Sequence, residues 1–136
     1  MRQIFVDTSA LVASYIENDD FHAQAASFLS ANSNESVHFV TTNFILDETY
    51  TYIRNDAGKE KALMFSEFIN KDLLELDKVR VLAIDERVAW KYFSDLPGRG
   101  VSFTDSTSFA VMKRLGLKEA FTFDRDFRKA GFKVLP

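Results

Sequence analysis

The chain of 136 residues has no cysteine. Disulfide staples and thiolate metal sites are therefore excluded. Two histidines, His22 and His38, are too few for a histidine-rich zinc centre. The start of the chain lacks a basic cluster, and Asp7 interrupts the first apolar stretch early, so no targeting segment is expected. The uncharged run Thr8 to Ile16 is far too short to span a bilayer. These absences lead us to expect a soluble, cytoplasmic protein with no membrane partner. Internal repeats, low-complexity tracts and linkers are also missing, and the length suits one domain over residues 1–136.

What is present is an ordinary globular composition with fourteen phenylalanines, enough for a bulky aromatic core. The net charge of −3 does not point to nucleic acid, but the charge is unevenly spread. Residues 111–136 hold seven Lys or Arg against three acids, a balance of +4, which leaves −7 for the first 110 residues. Such a bias suits either a solvated basic face or a rim that meets phosphates.

Strand and helix signals alternate. Strands are expected at Ile4–Val6, Val37–Thr41, Val79–Ile84, Phe121–Phe123 and Lys133–Leu135. Helices are expected at Ser9–Glu17, Phe21–Ala31, Asn43–Asn55, Lys59–Asn70, Glu86–Ser94 and Asp105–Leu115, the last stopped by Gly116. This order implies crossovers and a mainly parallel sheet covered on both faces. Ligands of such sheets bind beyond the C-terminal strand ends.

Acids occupy those ends. Asp7 follows the first strand and Asp124 follows the fourth. Asp7 stands where a helix cap would, although Thr8 and Ser9 can cap equally well. In "TTNFILDETYTYIR", 100° steps place Glu48 roughly 40° from Phe44, inside the arc of Ile45 and Tyr52, and Asp47 at roughly 300° on the polar side. Glu48 so placed needs a salt-bridge partner or a metal. Asp105 shares a helical face with Phe109 and Met112, and Thr104 is the expected cap before it. Asp126 is expected to cap a short terminal helix, which leaves Asp124 as the functional member of that pair.

Asp7, Glu48, Asp105 and Asp124 thus converge on one sheet edge. Unpaired carboxylates sharing a site need cations, and oxygen ligands without Cys or His select Mg²⁺ or Mn²⁺. One or two ions fit such a set, and two is the arrangement used on phosphodiesters. The first strand lacks the D-x-D pattern of aspartate-nucleophile phosphatases and the paired acids of a receiver domain.

Four segments, "FVDTSAL", "ILDETYT", "FTDSTSFAVM" and "FTFDRDF", together resemble PIN-domain ribonucleases, specifically the VapC toxins of prokaryotic toxin–antitoxin modules. The resemblance spans essentially the whole chain, in the family's order. It implies a three-layer αβα sandwich and Mg²⁺- or Mn²⁺-dependent cleavage of RNA. It implies Asp7, Glu48, Asp105 and Asp124 as catalytic and metal-binding acids, the last position being the most variable in relatives. Hydroxyls near the first and third acids, here Ser9 and Thr104, are implied to meet substrate. A cognate antitoxin and a homodimer are also implied. Arg125, Arg128 and Lys129 follow Asp124 closely and are the expected phosphate-facing rim. The alternative is a PIN fold without catalysis that binds RNA or protein; the presence of all four acids favours the enzyme.

Overall fold

The computed structural model describes residues 1–71 and 75–136. Among them, five strands form one parallel sheet: β1 (Arg2–Val6), β2 (Val37–Thr42), β3 (Leu76–Val79), β4 (Glu119–Phe121) and β5 (Lys133–Leu135), in the order β3-β2-β1-β4-β5. Between them run helices α1 (Thr8–Tyr15), α2 (His22–Ala31), α3 (Asn43–Ala57), α4 (Lys59–Asn70), α5 (Ala83–Asp95), α6 (Phe103–Leu115) and α7 (Asp126–Lys129). The result is the expected αβα sandwich.

Strand β1 is central because its residues are apolar on both faces. Ile4, Phe5 and Val6 are all buried, as a sheet covered on both sides requires. The chain turns from β1 to β2 on one side and reaches β4 on the other, so the direction of winding switches beside β1. Crevices open at such points beyond the strand ends. Buried phenylalanines fill the space around this sheet. Phe127 lies edge-on to Phe109, with ring centroids 4.9 Å apart, and near Phe5 at 6.2 Å. That contact seats the four-residue α7 against α6.

The third strand differs from expectation. It is Leu76–Val79, not Val79–Ile84. The apolar run after Val79 is surface, with Leu82 and Ile84 about half exposed. Asp85 decides this: its carboxylate accepts from the Leu82 amide at 2.8 Å and starts α5 at Ala83. Arg114 of α6 grips the same carboxylate through two bonds of 2.8 and 2.9 Å. Burial pushes the Asp85 carboxyl up, but the Arg114 and Leu82 hydrogen bonds and the Arg114 charge outweigh it and hold the group below the usual carboxylate range. The fourth strand likewise ends at Phe121, two residues earlier than expected, because the next residues turn to build the site.

Candidate metal centre

The corner after β1 holds Asp7. Its backbone is extended at the start of α1, but its side chain makes no capping bond to the helix. Instead its Oδ2 accepts from the Thr122 hydroxyl at 2.8 Å and from the Ser9 hydroxyl at 3.1 Å. Ser9 also accepts from the Phe123 amide at 3.0 Å. These bonds lash the end of β1 to the segment after β4. Asp7 is nearly inaccessible to solvent, and burial, with a smaller contribution from the charge of Asp124, raises its carboxyl to about 6 against the opposing hydrogen bonds.

Asp105 comes from the first turn of α6. The cap there is Ser102, not Thr104. Ser102 Oγ accepts from the Asp105 amide at 2.9 Å, and Asp105 Oδ2 accepts from the Ser102 amide at 3.1 Å. This reciprocal box uses the S-x-x-D spacing, which is better aligned with the orphan amides than Thr104 is, since Thr104 already lies inside the helix. Burial first, then the charges of Asp7 and Asp124, raise Asp105 to about 7.

The pair near the C-terminus also differs from expectation. Asp126 does not cap α7 with its side chain; it is the first helical residue and is buried. Its amide is received by Asp124 Oδ1 at 2.9 Å, so Asp124 performs the local turn-capping bond. Asp126 Oδ1 pairs with Lys129 Nζ at 3.0 Å. Ligand oxygens of Asp105, Asp124 and Asp126 lie within 4.8 Å of one another, the one group of this kind among the described residues. Burial and the neighbouring Asp126 raise the Asp124 carboxyl, with Lys129 opposing.

Asp7, Asp105 and Asp124 are thus brought together as expected, and Asp126 joins them. Glu48 stands at the margin on α3, half-buried, where it accepts from the Thr8 hydroxyl at 2.6 Å. Asp47 is exposed as expected, but Tyr52, placed on the apolar arc, is 48% exposed. Thr104 is half-buried and offers its carbonyl to Thr107 and Ser108. Arg125, Arg128 and Lys129 are exposed around α7, although Lys129 is already engaged by Asp126.

The donor set suits a hard divalent cation. It is carboxylate oxygen throughout, with one nearby ammonium, and burial first, then the mutual charges of the acids, raises Asp7, Asp105 and Asp124. Neither histidine takes part. His22 Nδ1 meets the Ala13 carbonyl, and His38 faces Asp77 at 3.8 Å.

The model of the PIN domain family matches residues 4–133. The chain belongs to the PIN domain family. Among curated relatives, the 23S rRNA-specific endonuclease VapC20 of Mycobacterium tuberculosis strain H37Rv is 35% identical over 129 residues, covering 95% of each chain. The crystal structure of Mycobacterium tuberculosis VapC20, described as a sarcin–ricin loop cleaving toxin, superposes with a TM-score of 0.84 at 33% identity, again over 95% of each chain. VapBC2 from Rickettsia felis, solved bound to a DNA fragment from its promoter, shares the fold with a TM-score of 0.70 at 12% identity, covering 98% of this chain and 97% of the other. In this PIN domain, Thr122 and Ser102 hydrogen-bond the clustered acids and were not expected there, and Asp126, expected only as a helix cap, lies within the acidic group. The S-x-x-D spacing was a legible signal for Ser102. Thr122 had none, since a threonine between two phenylalanines reads as ordinary strand.

Proposed function

We propose that this PIN domain is a metal-dependent endoribonuclease toxin that cuts the sarcin–ricin loop of 23S rRNA and is restrained by a cognate antitoxin. The observation behind it is the gathering of Asp105, Asp124 and Asp126 within 4.8 Å beside buried Asp7, at the switch point of the sheet. The VapC20 relatives support the RNA target, and the toxin–antitoxin neighbours support the partner.

In this reading Asp7, Asp105, Asp124 and Asp126 hold Mg²⁺ or Mn²⁺, and Glu48 completes the set from α3. When bound, such ions act as Lewis acids on the phosphodiester and make water a nucleophile near neutral pH. The chain's own contribution is orientation. Thr122 and Ser9 fix Asp7 through its Oδ2. The Ser102 amide fixes Asp105 Oδ2, and the Asp126 amide fixes Asp124 Oδ1. Lys129 holds Asp126 and moderates the local charge. Arg125 and Arg128 remain exposed to receive phosphates beside the acids.

The test is cleavage of intact ribosomes and of a synthetic sarcin–ricin loop hairpin by the purified protein. We expect one cut in Mg²⁺ or Mn²⁺ and none in EDTA. Intact RNA in both metals, or equal cleavage in EDTA, would overturn the reading.

A further inference from the structure

Two stacked aromatic rings, one of them directly preceding Asp124, have no role in holding the acidic centre together. Phe123 directly precedes Asp124, and its amide is tied to Asp7 through Ser9. Phe21, at the start of α2, stacks on Phe123 with centroids 4.5 Å apart and planes within 9° of parallel. Phe123 is half-buried and leans edge-on against the core ring Phe121 at 6.0 Å. Phe21 is 45% exposed.

The loop before Phe21 is built to hold it there. Asp19 Oδ1 accepts from the Phe21 amide at 2.9 Å, and the Asp19 carbonyl accepts from the His22 amide at 3.0 Å. A ring spending this much apolar surface on solvent, pinned by its backbone and stacked in parallel, offers a flat π surface resting on the residue next to Asp124. An open depression of about 620 Å³ adjoins Phe123, bordered also by Gln24, Ser27 and Phe28 of α2.

We propose that Phe21, backed by Phe123, is a stacking platform for one unpaired base of the RNA substrate, next to the cleaved phosphate. The inference rests on the endoribonuclease reading above and adds where the substrate's base is held. Unpaired bases stack on aromatic side chains whatever their sequence, because each presents a π face. Charge orders the strand. Exposed Glu17 and Asp20 both precede Phe21 on its loop and repel phosphates, whereas exposed Arg125 directly follows Asp124. The backbone therefore passes along Arg125 and the base turns toward Phe21. A continuous path from Phe123 through Ser9 to Asp7 makes the platform part of the same rigid unit as the centre.

The experiment combines protein variants with single abasic substitutions in the synthetic sarcin–ricin loop hairpin. Phe21→Ala and Phe21→Leu should each lower kcat/KM roughly tenfold, and Phe21→Trp should retain it. One abasic position should cost the wild type a similar factor, and Phe21→Ala should lose nothing further at that position. In EDTA, where the RNA stays whole, 2-aminopurine at that position should be quenched by wild type and not by Phe21→Ala. Should Phe21→Ala not fold, Phe21→Leu and the wild-type abasic series decide alone. Wild-type kcat/KM in Phe21→Ala and Phe21→Leu, or losses that multiply at every abasic position, would overturn the platform alone. So would variants that lose only antitoxin affinity, which would make the rings a protein-docking contact. No cleavage by the wild type in either metal would remove the endoribonuclease reading and the platform with it.

Discussion

Replacing Asp105 with Asn should stabilise the metal-free protein while abolishing cleavage. Asp105 is 6% exposed, and its carboxyl is raised from 3.8 to about 7 by burial and by the charges of Asp7 and Asp124. The folded chain therefore binds this proton more tightly than the unfolded chain does. Stability from this group is fully present below about pH 4 and is lost as pH rises toward 7. A shift of about three units corresponds to at most about 4 kcal/mol at pH 8, and relaxation of the site reduces this to an expected gain on the order of 2 kcal/mol. Asparagine keeps an oxygen for the Ser102 amide, so the capping box survives. For a chain of this length, roughly 3–4 °C of Tm accompany each kcal/mol. Thermal melts in EDTA at pH 4 and pH 8 measure the effect. The variant should match wild type at pH 4 and melt several degrees higher at pH 8, whereas Mn²⁺ should raise only the wild-type Tm. A variant no more stable than wild type at pH 8, with the same response to Mn²⁺, would show that Asp105 is neither strained by its neighbours nor a ligand.

Three further outcomes are expected. Thr122→Val keeps shape but removes a hydrogen bond that favours ionised Asp7, so the acidic limb of the pH–rate profile should move to higher pH; an unmoved limb would detach Thr122 from the centre. Asp124→Ala should cost on the order of 1 kcal/mol through the lost Asp126 amide bond, as well as Mn²⁺ affinity, and Asp126→Ala should also weaken Mn²⁺ binding, as measured by calorimetry and urea melts; full Mn²⁺ affinity in Asp126→Ala would return that residue to a purely structural role. Arg114→Met leaves Asp85 buried and unpaired, so urea unfolding should show a loss of roughly 3 kcal/mol; a loss below 1 kcal/mol would mean that the ion pair does little to hold α5 on α6.

The acids at strand ends were legible because their neighbours made them anomalous. A run such as Ile4–Val6 has no reason to meet a carboxylate unless the strand end opens on a site, and Asp7 and Asp124 follow from that logic, whereas Asp105 followed from the apolar helical face it shares with Phe109 and Met112. Helical periodicity separated Glu48 from Asp47 correctly, but it placed Tyr52 inside, because an angle on a helical wheel does not say how wide the covering layer is. Val79–Ile84 failed for a related reason. Hydrophobic composition alone resembles a buried strand, and only the distant Arg114, which fastens Asp85, shows that a helix begins there.

The sequence by itself determined the alternation of strands and helices, the parallel sandwich, the family and the oxygen-only chemistry of the centre. All of these depend on local pattern and residue type. Tertiary structure alone decided how the acids divide their work. Asp124 and Asp126 are two residues apart and chemically alike, so no local rule ranks them. Docking of Phe127 against Phe109 turns α7 so that Asp126 faces Asp105, and this leaves Asp124 to receive its amide. Thr122 gained its partner in the same way, from a residue 115 positions away along the chain. Contacts between segments so far apart depend on how β1 and β4 pair, and that pairing is a property of the whole sheet.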